Sequence, residues 1–76
     1  MIQAVPGKAR YQAFIDHDRP GEFLFFADFA DIMQATHYAE QMHATLATVD
    51  VVVLDAKRGT LVLMLPGRRT LDGASE

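Results

Sequence analysis

The sequence predicts an α+β domain: a β-β-α-β-β chain forming a four-stranded mixed sheet with one helix packed on one face. Three observations carry this reading. Short apolar segments alternating with period two flank a single stretch of helical period. Turn residues, Pro20-Gly21, Gly59 and Pro66-Gly67, punctuate them. And 76 residues supply one hydrophobic core rather than two.

Residues 9–17, ARYQAFIDH, alternate as a strand, and DRPG then turns the chain. EFLFFAD, rich in Phe, is a second strand, so residues 9–28 read as a hairpin with a long loop. DFADIMQATHYAEQMHATLA follows as an amphipathic helix of about four turns. Asp28 is placed as its N-cap, with Asp31 at the capping-box position. At 100° per residue its apolar stripe collects Ile32, Ala35, Thr36, Ala39, Met42, His43 and Leu46, and the two alanines allow close approach to a sheet. VDVVVLD is a third strand, AKRG a turn with Gly59 free to take positive φ, and TLVLMLP a fourth strand. The domain spans 1–76 with an ordered core over about 9–66; residues 67–76 read as a flexible tail.

Composition narrows the function classes. Hydrophobic residues make up 50% of the chain and charged residues 22%, a globular balance rather than a disordered one. There is no cysteine, hence neither a disulfide framework nor a thiolate site. With no apolar run long enough for a membrane span and no apolar leader in MIQAVPGKARYQ, the expected location is cytoplasmic. The net charge is −3, and no Lys or Arg occurs between Pro20 and Ala56. Phosphate binding needs clustered basic residues on one face, so nucleic acid is not expected as the main ligand.

The strand alternation is the most informative pattern. One set of side chains, Tyr11, Ala13, Ile15, Phe23, Phe25, Ala27, Val49, Val51, Val53, Leu61, Leu63 and Leu65, is apolar throughout and is assigned to the helix side. The alternate set has polar ends but an apolar centre: Phe14, Leu24, Phe26, Val52, Leu54, Val62 and Met64. A single helix covers only one face, and an apolar centre with a polar rim is interface anatomy. These seven residues are the expected protein interface. A homodimer, packed face to face or through paired edge strands, suits a chain this small. A different protein partner, or a terminus folded back over the face, is the alternative cover.

Other candidates for chemistry are weaker. Asp16-His17-Asp18 holds metal-ligand types, but consecutive strand residues point to opposite faces, and Asp favours turns; it reads as a polar hairpin corner. His37, Glu40 and His43 form H-x-x-E-x-x-H, lacking the i, i+4 histidine pair of H-E-x-x-H zinc sites. A histidine-based metal protein or enzyme on His17, His37 and His43 is the second reading. Weak nucleic-acid binding through Arg19, Lys57, Arg58, Arg68 and Arg69 is the third. Ser75 is the single serine, and neither G-x-x-x-x-G-K-[ST] nor G-x-G-x-x-G occurs. No catalytic residue, metal ligand or cofactor is therefore assigned.

In the order of its elements over residues 9–66, the chain resembles small phage- or plasmid-encoded inhibitor proteins, anti-CRISPR proteins among them. The resemblance rests on element order, with no shared motif. It implies binding to a CRISPR effector protein, with the acidic helix imitating nucleic acid. The expectation from the residues themselves is a non-enzymatic protein-binding or inhibitor module, homodimeric through the outer sheet face.

Overall fold

A computed structural model describes residues 2–16 and 22–67. Its elements follow the predicted order: β1 (Tyr11–Asp16), β2 (Phe23–Phe29), α1 (Ile32–Thr45), β3 (Val51–Asp55) and β4 (Thr60–Leu65). The four strands form one open sheet in the order β2-β1-β3-β4. Every ladder is antiparallel, so the sheet is not mixed. The strands joined by the helix, β2 and β3, do run parallel, but β1 lies between them and no parallel ladder forms.

α1 packs on one face. Its N-cap is Asp31, whose carboxylate accepts the Gln34 N–H at 3.1 Å; the expected cap, Asp28, instead ends up within β2. The chain stays extended through Phe29 because Phe29 packs on Tyr38, with ring centroids 5.1 Å apart. The buried stripe of the helix is Ala35 and Ala39, with Met42 packed beside them. Tyr38 belongs to the same side and also meets Phe26 at 5.6 Å. Ile32 and Leu46, placed on the stripe by periodicity, are exposed at its two ends.

The helix-side core joins Ala13, Ala35, Ala39, Val51 and Val53, with Tyr11, Ile15, Phe26, Ala27, Leu63 and Leu65 around them. A second core lies on the opposite face: Phe14, Val52 and Leu54, packed by Ile2, Val5, Phe23 and Phe25. All five residues of β3 are buried as a result. Each fully buried Val or Leu contributes about 1.5–3 kcal/mol, so this short central strand carries much of the hydrophobic stabilisation.

Two bulges set which side chains share a face. In the β1–β2 ladder Ala13 opposes Ala27, but Phe14 opposes Phe25, so Phe26 is the extra residue. In the β3–β4 ladder Val53 opposes Leu63, but Leu54 opposes Leu61, so Val62 is the extra residue. One added residue shifts the period-two count and turns everything on one side of it to the other face.

Candidate protein-contact surface

The face without a helix is covered in large part by the chain itself. Residues 2–9 cross it as a strap, with Ile2 and Val5 against Phe14, Val52 and Leu54. Gln12 holds the strap. It is 1% exposed, and its carboxamide is fully used: Oε1 accepts the Val5 N–H at 2.7 Å, while Nε2 donates to Val5 O and Ala9 O, each at 3.1 Å. A lone glutamine in an apolar strand is affordable only with such partners. Further along, Asp28 accepts the Ala9 N–H at 2.7 Å, and the Lys8 ammonium lies 5.6 Å from the centroid of the Phe25 ring. Phe25 meets Phe14 edge-on at 5.7 Å.

This cover corrects the expected interface residue by residue. Phe14, Val52 and Leu54 do lie on the face away from the helix, but they are core, buried under the strap. Phe26 is on the helix side, because the bulge turns it inward onto Tyr38; a charge there disrupts the core rather than a contact. Leu24 opposes Ile15, a helix-side residue, and is 51% exposed beyond the reach of the helix. In their place the bulge brings Phe23 and Phe25 to the strap side.

What stays open is β4. Met64 is 57% exposed and Leu61 46%; Val62, at the bulge, is also exposed. Leu61 opposes Leu54 and Met64 opposes Val52, so both sit on the strap-side face where the strap does not reach. Sequence reasoning assigned Leu61 to the helix side; the bulge at Val62 reverses it. The strip carries no charge from Thr60 to Leu65, and β4 is an edge strand.

The turn leading into this strip is rigidly built around Asp55, which is 2% exposed. Arg10 grips its carboxylate with Nε and Nη2, both at 2.9 Å. The Lys57 and Arg58 N–H groups donate to Asp55 Oδ1 at 3.0 and 3.2 Å, and Gly59, at φ 72°, donates its N–H to Asp55 O. The Arg10 hydrogen bonds, aided by the backbone donors, lower the Asp55 carboxyl to about 2. At the far end of β4, Asp50 accepts the Gly67 N–H, and His43 Nε2 lies 2.8 Å from Pro66 O. A carbonyl oxygen only accepts, so that nitrogen carries the hydrogen.

The remaining candidates do not converge. His37 pairs with Gln41 at 3.3 Å on the outer helix flank, in a hollow lined, among the described residues, by that helix. His43 is engaged at Pro66. Among the described residues no group of three His, Asp or Glu side chains is placed to hold a metal ion. Asp16 is buried and its N–H donates to Asp50 O at 3.0 Å; His17 and Asp18 lie outside the described residues, as do Arg19, Arg68, Arg69 and the expected tail from residue 68 on. Lys57 and Arg58 are exposed in the β3–β4 turn. Among the described residues no helix is long and apolar enough to cross a membrane.

Neither a protein-family model, nor a curated protein, nor a solved structure matches this chain.

Proposed function

We infer that the chain is a small non-enzymatic protein-binding module whose contact surface is the exposed apolar strip of β4, Leu61, Val62 and Met64. The observation that supports this most is the contrast across one face: the strap covers Phe14, Val52 and Leu54, while their neighbours on β4 remain open. An uncharged, apolar edge strand is a template for another chain, and proteins that do not use such an edge usually guard it with charges, proline or a covering loop. A module of this kind acts by occupying a surface of its partner, as an inhibitor does.

The test is retention on immobilised full-length chain, offered both the free chain and a native lysate. Wild type is expected to retain protein that a Leu61→Glu/Met64→Glu double variant does not. Equal retention by both, or none by either, overturns the reading.

A further inference from the structure

The two edges of the sheet differ, and the difference names a partner. Asp16 donates its N–H to Asp50 O, and Ala56 donates its N–H to Arg10 O. These bonds fix the alternation of the β1–β3 ladder. Within it Leu54 turns its backbone groups toward Gln12, and Val52 turns its own toward Phe14. Their partners across the other ladder, Leu61 and Met64, therefore occupy non-hydrogen-bonded positions. The N–H and C=O of Leu61 and Met64 point away from β3, to the open edge, and the side chains of the same two residues are highly exposed.

The same count applied to β2 sends the backbone of Phe23, Phe25 and Asp28 to the opposite edge. That edge is guarded. Asp28 stands on it, Glu22 precedes it, and Lys8 lies over Phe25. Two copies meeting there bring like acidic charges together, which is unfavourable. β4 bears no charge from Thr60 to Leu65, so along that stretch pairing with its own copy brings no like charges together. Of the described charges flanking it, Asp55, opposite Thr60, is held by Arg10, and Lys57 and Arg58 lie in the turn before it. In an antiparallel pair centred on Met64 those turns fall at opposite ends of the seam.

We propose that β4 pairs antiparallel with β4 of a second copy, with Met64 at the two-fold axis, joining two four-stranded sheets into one continuous sheet of twice that width. This rests on the reading of β4 as the contact surface and assigns its occupant. The contact is isologous, so it closes at two copies. It satisfies the free Met64 N–H and C=O and buries the Met64 side chain against the same residue of the other copy, while Leu61 falls opposite Gly67.

Sedimentation equilibrium of the full chain over a concentration series tests this, with Met64→Pro and Met64→Lys alongside. Wild-type mass is expected to rise from 8.4 kDa to twice that value, with exchange of the Met64 amide slowing as it does. Met64→Pro removes an N–H that the β3–β4 ladder does not use, a position where an edge strand tolerates proline; it is expected to keep the wild-type circular dichroism and lose the dimer. Should that variant fail to fold, Met64→Lys, which keeps the N–H but places like charges at the seam, is expected to give the same loss. A wild type that stays at 8.4 kDa overturns the second copy as occupant, and retention of a different protein in the capture experiment then leaves the broader reading standing. A dimer that survives both variants overturns pairing through β4.

Discussion

Val52 and Met64 face each other across the β3–β4 ladder, yet Val52 is wholly buried and Met64 is 57% exposed. The strap accounts for the difference: Ile2 and Val5 roof over Val52 and end before β4. Stability should follow the same divide. Val52→Ala is expected to cost about 2 kcal/mol, from lost burial and the cavity left behind. Met64→Ala in dilute solution should stay within about 0.5 kcal/mol of wild type. Urea unfolding of the two variants, with slopes compared, checks this.

Gln12 makes the next prediction. Replacing it with Leu keeps the volume but strands the Val5 N–H, the Val5 carbonyl and the Ala9 carbonyl. Leaving such groups without partners costs about 1–3 kcal/mol each unless they reach water, so the strap is expected to lift rather than stay. Amide exchange at Val5 should accelerate far more than at Val53, whose strand is held by two ladders. Equal acceleration at both sites would instead mean general destabilisation.

Asp55 gives the chain an acid limit. Its carboxyl lies near 2 in the folded state, chiefly through Arg10, against about 3.9 in an unfolded chain. Between these values the unfolded state binds more protons, so the stabilisation is complete above about pH 4 and is lost as pH falls toward 2. Asp55→Asn is expected to be less stable than wild type at pH 6 and to lose less further stability between pH 5 and pH 2. Urea midpoints across that range measure it.

Gly67 closes the far end of β4. A Cβ there would lie 2.6 Å from Thr48 O and 2.7 Å from the Val49 carbonyl carbon, backbone that cannot rotate away. Gly67→Ala is expected to cost about 1–3 kcal/mol, as overpacking does, and to disturb the His43 contact with Pro66. The histidine ring resonances should shift in that variant even under conditions where it remains folded.

The element order was legible because alternation in QAFID and VVVLD, helical spacing at Ala35, Ala39 and Met42, and the turn at Gly59 are all local signals. The faces were legible only up to the bulges. Nothing in FLFFADF marks Phe26 as the extra residue, and nothing in TLVLML marks Val62; around each of them the run is apolar on either parity, so a shifted count still looks regular. That hid the exchange of Phe26 for Phe25 and of Leu61 from one face to the other. The strap was legible only as an alternative cover, a terminus folded back over the face: MIQAVPGK is partly apolar but has no periodicity, and its fastening depends on Gln12, several residues away. Gln12 itself was the available clue, an uncharged polar side chain in the middle of a strand whose neighbours are core.

β1 joins strands from both ends of the sequence: it pairs with β2 on one side and with β3 on the other. The chain therefore cannot be divided into two self-sufficient halves. A fragment ending near residue 30 holds only a two-stranded hairpin, which is marginal alone in water, and the remainder lacks the strand that fills the groove beside Val51 and Val53. Cut in the turn before Ile32, the two pieces should be unstructured apart and assemble when mixed, so the protein is suited to fragment complementation, with the β1–β3 ladder as the joint that brings the pieces together.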